Sequence, residues 1–183
     1  MSKKTILIMR HAEKPDDPHD PNLTEAGRDR AQRLAQYVPE FFGEPPKFLF
    51  ASSASKHSRR PIETLEPLAT ASQLQIDSTY ADQDYGALAH HLRHSESFND
   101  VLTVVCWHHG NIPNLMHALK AASTDYPDPW KHDVFNLMLK VDLSPDKTPV
   151  VKRIREHGAS NLRSDNVVLA AGLDHFRSRH VQH

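Results

Sequence analysis

Short apolar runs alternate along the chain with longer stretches in which apolar residues recur every three or four positions. The short runs are typical of buried strands, and the longer stretches of helices that bury one face. Strands are predicted at residues 5–9, 47–51, 74–76, 101–107, 135–141 and 150–154. Helices are predicted from the N-cap Thr24 to Phe42, from Arg60 to Ala69, over residues 85–92 and from Pro113 onward. This alternation predicts an α/β fold, a three-layer α/β/α sandwich with a mostly parallel central sheet.

Length and composition narrow the class of protein. At 183 residues the chain fits a single domain over residues 1–183. Charged residues make up 25% of the sequence and the formal net charge is −1, so no basic surface for nucleic acid is indicated. The apolar run at residues 6–9 is too short for a signal peptide or a membrane span. Because Cys106 is the single cysteine, a reducing compartment is indicated, and we expect a cytoplasmic protein that binds neither nucleic acid nor membrane.

Two of the predicted strands end abruptly in polar side chains. The first apolar run leads directly into Arg10-His11, and the strand at residues 101–107 leads into His108-His109-Gly110. Ligand sites of open α/β sheets lie beyond the carboxyl ends of the strands. If these two strands are parallel neighbours, the two histidine clusters meet at one edge of the sheet.

Four motifs follow one another in a characteristic order. They are Arg10-His11-Ala12, the segment Asn-Leu-Thr-Glu-Ala-Gly at residues 22–27, Arg60 followed four positions later by Thr64, and His109-Gly110. In this order and spacing the chain resembles the histidine phosphatase superfamily, which includes the phosphoglycerate mutases. The resemblance implies a phosphoglycerate mutase-like fold. Ala12 stands where the family usually has glycine.

The resemblance also implies a mechanism. His11 is then the catalytic nucleophile, and Arg10, Arg60 and His109 hold the phosphate, with Gly110 beside them. A neutral imidazole can attack a phosphoryl group, and guanidinium groups bind its oxygens through charge-assisted hydrogen bonds. Neither a metal nor a cofactor is implied. The expected activity is hydrolysis of a phosphate monoester or a phosphohistidine, and the expected substrate is a small phosphorylated molecule or a phosphoprotein.

Two positions within the motifs leave alternatives. His108 and His109 are adjacent, so on a strand they point to opposite sides and only one faces the pocket. The glycine that follows favours His109. Arg59 competes with Arg60, but the spacing to the motif threonine favours Arg60.

The general acid that protonates the leaving oxygen has three candidates. Larger relatives place a carboxylate in the segment after the second helix, where this chain has Asp82 and Asp84. Asp84, the first choice, is also a plausible N-cap of the helix that begins at Tyr85. Glu13, just beyond the nucleophile, is the third candidate.

Two other functions compete with hydrolysis. A phosphoglycerate mutase-like phosphotransferase usually carries longer insertions than 183 residues allow. A phosphate-binding module that has lost catalysis is suggested by Ala12 and by the unsettled acid. His90 and His94 share a helix face and have the spacing of metal ligands, but a solvated face is favoured because no third ligand is evident. Trp130 is a candidate for a lid over the site.

Overall fold

The computed structural model describes residues 2–156, which form a six-stranded sheet with helices on both faces. The strands are β1 (Lys4–Arg10), β2 (Phe48–Ala51), β3 (Ile76–Asp77), β4 (Leu102–Trp107), β5 (Leu137–Leu143) and β6 (Val150–Arg155). Their order is β3-β2-β4-β1-β5-β6, with the first four parallel and β5 antiparallel to both of its neighbours. The predicted fold class is therefore confirmed. The segment 157–183, whose structure the sequence leaves open, lies outside the described residues.

Four helices cover the sheet. They are α1 (Glu25–Phe42), α2 (Arg60–Ser72), α3 (Tyr85–His94) and α4 (Ile112–Ala118). Successive residues of β1 serve opposite faces, because Ile6 and Ile8 pack with α3 and α4 whereas Leu7 and Met9 pack with α1 and α2. Burial on both faces explains why β1 is a continuous apolar run. Within residues 2–156 the helices are all too short or too polar to cross a membrane.

The helix boundaries follow local chemistry. The Thr24 side chain accepts a hydrogen bond from the Gly27 amide at 3.0 Å, which confirms it as the N-cap of α1. That helix ends at Phe42 because Gly43 adopts a left-handed conformation with φ 71°, before the two prolines that follow. Arg60 begins α2 as expected, with a proline in its first turn.

Strands β1 and β4 lie side by side at the centre of the sheet. Their register pairs Arg10 with Trp107, and the His11 amide donates to the Trp107 carbonyl at 3.1 Å. The residues that follow both strands therefore emerge at the same level of the same edge. The two histidine clusters meet there, as the strand pattern predicts.

Candidate active site

His11 is buried directly beyond β1, with 2% of its surface exposed. Its Nδ1 lies 2.7 Å from the Ala12 carbonyl oxygen. Since a carbonyl only accepts hydrogen bonds, Nδ1 must carry the proton and Nε2 must carry the lone pair. Burial lowers the pKa of His11 to about 3, assisted by the positive charges of Arg10 and Arg60. His11 is therefore neutral at pH 7, with Nε2 available for attack.

Arg10 is equally buried and is held by uncharged groups. Its Nη1 donates to the carbonyl oxygens of His132 at 2.7 Å and Val134 at 3.3 Å. The Phe135 ring lies below the guanidinium, with 3.9 Å between the ring centroid and Cζ. Burial lowers the Arg10 pKa to about 10, so the group remains charged at neutral pH. Its Nε and Nη2 atoms are buried without a hydrogen-bond partner in the described residues.

Arg60 reaches the same edge from the start of α2. Its Nε donates to the Asn22 carbonyl at 3.1 Å and its Nη2 to the Asp20 carbonyl at 2.6 Å. Burial lowers its pKa. Arg59 is exposed instead, and its backbone is held at the amide by the Pro21 carbonyl at 2.9 Å and at the carbonyl by the Glu63 amide at 3.0 Å. The arginine favoured by the motif spacing is the buried one.

Both guanidinium groups share a feature that matters for binding. Within residues 2–156 neither Arg10 nor Arg60 forms a salt bridge with a carboxylate. A buried cation without a counter-charge is costly, and an anion that binds to it recovers that cost. The pair therefore favours a multiply charged oxyanion beside His11.

The tandem histidines lie in the turn after β4. Because the strand ends at Trp107, strand alternation does not force His108 and His109 to opposite sides. The His108 ring meets the His11 ring edge to face, with 5.4 Å between centroids. Burial lowers the His108 pKa, while the Asp82 carboxylate opposes that shift. The ring contact with His11 is thus made by the histidine that the motif disfavours.

His109 lies near two cationic side chains. Its pKa falls to about 4, first because of burial and then because of nearby cationic groups. The cationic groups are Arg10 and Lys14, and the neighbouring His108 and His132 rings lower the pKa further. The neighbourhood of His109 therefore suits a negatively charged ligand. Gly110 is exposed, and an added Cβ there would meet no atom within 4 Å, so lack of space does not explain this glycine.

Of the three candidate acids, Asp82 is the one whose charge acts on His108, where it raises the pKa of the ring. Its Oδ2 accepts from Asn111 Nδ2 at 2.8 Å, and its carbonyl accepts from Trp107 Nε1 at 3.0 Å. Asp84 is exposed, and its carboxylate accepts the Ala81 amide at 3.1 Å rather than an amide of α3. Glu13 is held in an ion pair by Arg30 Nε at 2.6 Å.

Thr64 connects α2 to the loop that follows His11, between β1 and α1. Its hydroxyl donates to the Arg60 carbonyl at 2.7 Å and accepts the Ala12 amide at 2.9 Å. A residue four positions along a helix from Arg60 is the one whose side chain reaches that carbonyl. The spacing of the Arg-x-x-x-Thr motif is thus the spacing needed to join Arg60 to Ala12, the residue after His11.

Gly27, the motif glycine of α1, lies where there is no room for a side chain. A Cβ on Gly27 would lie 2.5 Å from the Glu13 carbonyl oxygen, closer than any real contact. That carbonyl also accepts the Thr24 amide at 3.0 Å, so it cannot easily move away. The Leu-Thr-Glu-Ala-Gly segment therefore fixes the backbone two residues beyond His11.

A family model for the histidine phosphatase superfamily (branch 1) matches residues 6–110, more than half of the chain. The chain belongs to the histidine phosphatase superfamily. The match includes His11, Arg60 and His109, so the resemblance drawn from the motifs is confirmed. No curated protein matches the chain by sequence.

Solved structures of two phosphatases and a mutase share the fold. A mycobacterial glucosyl-3-phosphoglycerate phosphatase is 14% identical, with a TM-score of 0.62 over 85% of this chain and 100% of its own. The Plasmodium falciparum phosphoglycerate mutase is 13% identical, with a TM-score of 0.58 over 86% and 92%. The protein histidine phosphatase SixA, solved with tungstate, is 16% identical, with a TM-score of 0.60 over 82% and 96%. At these identities the likeness establishes the phosphoglycerate mutase-like fold.

Sequence reasoning missed a group of charges beside the loop that follows His11. Glu156 is 1% exposed and accepts hydrogen bonds from Arg30 and, at 3.1 Å, from Arg33. Arg30 in turn holds Glu13, so the ion pairs connect the end of β6 with the loop after His11. The arginines lie three apart on α1, which was a visible signal, but their partner is more than 120 residues away.

Two other sequence expectations concern the surroundings of the site. Trp130 is only 3% exposed, and its Nε1 donates to the Val134 carbonyl at 3.0 Å, so it anchors the segment before β5 from within the core and is not a lid. The rings of His90 and His94 lie 4.3 Å apart on α3. In the part of the chain that the structure describes, no group of three metal-ligating side chains is present.

Proposed function

We propose that the protein is a metal-independent phosphatase that hydrolyses a phosphate monoester or a phosphohistidine through a covalent phosphohistidine at His11. The observation that carries this proposal is a neutral His11, with its lone pair on Nε2, beside two buried arginines that lack carboxylate partners. Nucleophile and phosphate-binding charge thus meet at one sheet edge. Membership of a superfamily whose structural neighbours include phosphatases supports the assignment.

In the first step, Nε2 of His11 attacks phosphorus while the bond to the leaving oxygen breaks. The proton on Nδ1 stays in its hydrogen bond to the Ala12 carbonyl, so the developing positive charge of the ring is stabilised. Arg10, Arg60 and His109 hold the phosphoryl oxygens and neutralise the charge that spreads over them in the transition state. The fixed donors make no large rearrangement necessary during the reaction.

The leaving oxygen needs a proton, and Asp82 is the proposed donor. Its position beside His108 favours it over the exposed Asp84, and Glu13 is already bound by Arg30. In the second step, a water molecule attacks phosphorus, its proton passes to Asp82, and the bond between phosphorus and Nε2 breaks. Inorganic phosphate and neutral His11 result, and Asp82 has regained the proton that it gave to the leaving oxygen.

The proposed substrate class is a small phosphorylated molecule or a phosphoprotein. It is supported by structural neighbours whose names specify a sugar phosphoglycerate in one case and protein phosphohistidine in another. A panel of sugar phosphates, nucleotides and phosphohistidine peptides, compared by kcat/KM, would separate these two groups.

Hydrolysis of para-nitrophenyl phosphate across pH tests the activity itself. We expect turnover by the wild type and a loss of at least about a thousandfold in His11→Ala, because the nucleophile is removed. His90→Ala, which changes an exposed histidine on α3, should retain wild-type activity. A wild type that binds inorganic phosphate without turnover would instead be a binding module.

A further inference from the structure

Phe135 lies between the two central residues of the site. Its ring centroid is 3.9 Å from the Arg10 Cζ and 6.3 Å from the His11 ring centroid. It precedes β5 by two residues and is half-buried. Phe135 therefore contacts the side chains of both Arg10 and His11.

The contacts of Arg10 use all but one edge of its guanidinium group. Nη1 is bound by the carbonyls of His132 and Val134, and one planar face is covered by Phe135. The remaining edge, formed by Nε and Nη2, is buried and has no partner among residues 2–156. A guanidinium binds an oxyanion through two parallel N–H groups only when its plane is correctly oriented.

An aromatic face can orient that plane without consuming its charge. A carboxylate in the same place would fix the arginine equally well but would neutralise it, and the phosphate would then gain less from binding. The aromatic contact is attractive because the ring face carries negative partial charge, yet the arginine keeps its full positive charge. Carbonyls and a phenyl ring together therefore hold Arg10 and leave it charged.

We infer that Phe135 is a positioning residue, which orients the Nε–Nη2 edge of Arg10 toward the phosphoryl group that His11 attacks. This inference rests on the proposed function. The Phe135 ring has no polar atom that could bind the phosphoryl group, so it acts through Arg10. Its removal should therefore weaken phosphate binding by releasing the arginine from its orientation.

Titration of the purified protein with inorganic phosphate, followed by calorimetry, tests the inference without requiring turnover. Phe135→Leu and Phe135→Met keep apolar volume but remove the aromatic face. Both should raise the Kd for inorganic phosphate by about threefold to thirtyfold, the range of a cation–π contact. Phe135→Tyr keeps the face and should stay within about twofold of the wild type.

Two comparisons separate positioning from general structural damage. Phe41→Leu changes an aromatic residue on the last turn of α1, 42% exposed, and should leave phosphate affinity unchanged. In an Arg10→Ala background, Phe135→Leu should cause no further loss of phosphate affinity, because the group it orients is gone. Losses that simply add, or a wild-type Kd in both Phe135→Leu and Phe135→Met, would overturn the inference. A wild type that never forms phosphohistidine would overturn the proposed function while leaving this binding comparison readable.

Discussion

Protonation divides the side chains of the candidate site into a neutral histidine and charged arginines. Burial, with nearby arginines, lowers the His11 pKa to about 3, whereas Arg10 keeps a pKa of about 10 despite the same burial. At pH values between about 3 and about 10, the neutral His11 ring has a free lone pair and lies next to the positively charged Arg10 and Arg60. In a low-dielectric setting such charges attract an oxyanion far more strongly than they would in water.

Arg60 and Arg59 provide a matched test at the residue scale. We expect Arg60→Ala to weaken the binding of inorganic phosphate or vanadate by about tenfold to a hundredfold, the loss of a charge-assisted hydrogen-bonding group. Arg59→Ala removes the same charge from an exposed neighbour and should change the affinity by less than about threefold. Equal losses in the two variants would mean that the motif has been aligned one residue out of place.

At the residue scale, the sequence predicted best those positions whose roles depend on spacing. Arg60 could be separated from Arg59 because only it lies four residues before Thr64. The expectation that only one of His108 and His109 faces the pocket rested on strand alternation, which does not apply because β4 ends at Trp107, before both residues. The sequence could not show which carboxylate lies nearer the histidines. Asp82 and Asp84 are on the same turn of 3₁₀ helix, and only the conformation of that turn separates the positions of their side chains.

A few close backbone contacts between secondary-structure elements hold the residues of the site in place. Strands β1 and β4 bring both histidine clusters to one edge, α2 brings Arg60, and the start of α1 packs against the backbone beyond His11. Gly27 is the point of closest approach. The position of the loop after His11 therefore depends on α1, a helix that supplies none of the candidate site residues.

Gly27→Ala should disturb that packing. The added methyl group would meet the Glu13 carbonyl oxygen at 2.5 Å, and the displaced loop should lower the free energy of unfolding by about 1–3 kcal/mol, with a parallel fall in kcat/KM. Urea unfolding and initial-rate assays measure both effects.

Gly86→Ala is the control on another helix. No atom lies within 4 Å of the Cβ it would add, so the free energy of unfolding should rise by up to about 1 kcal/mol and kcat/KM should stay the same. If Gly27→Ala behaved like Gly86→Ala, the close approach would not constrain the loop.

Strands β1, β2 and β4 were predictable because each is a mostly buried apolar run followed by a helix. The segment between α4 and β5 was not, because its role depends on distant partners. Its carbonyls at His132 and Val134 bind Arg10, and no local pattern in the sequence marks a carbonyl as a ligand. Phe135 was included in a predicted strand, but β5 begins only at Leu137.

For the whole molecule, three histidines with lowered pKa values make stability dependent on pH. The pKa values of His11, His108 and His109 are all lowered from the ordinary value of 6.5, to about 3 for His11 and about 4 for His109. Below pH 6.5 the unfolded chain binds protons that the folded chain excludes. The free energy of unfolding should therefore fall as the pH drops from 6.5 toward 4.

Urea unfolding at about pH 7 and about pH 5 measures this dependence before most carboxylates titrate. His11→Asn should lose less stability than the wild type over that interval, because one excluded proton has been removed. His90→Asn, on the exposed face of α3, should keep the wild-type loss. An unchanged loss in His11→Asn would show that His11 binds its proton equally well in both states.

The central claim, attack by His11 on phosphorus, can be tested by trapping the intermediate. The protein is mixed rapidly with a phosphoryl donor, quenched in base, and fragmented for mass spectrometry. A base-stable, acid-labile phosphoryl group on His11 in the wild type, and none in His11→Ala, is the expected result. A phosphoryl group on His108, His109 or a carboxylate, or turnover by His11→Ala at the wild-type rate, would contradict the account.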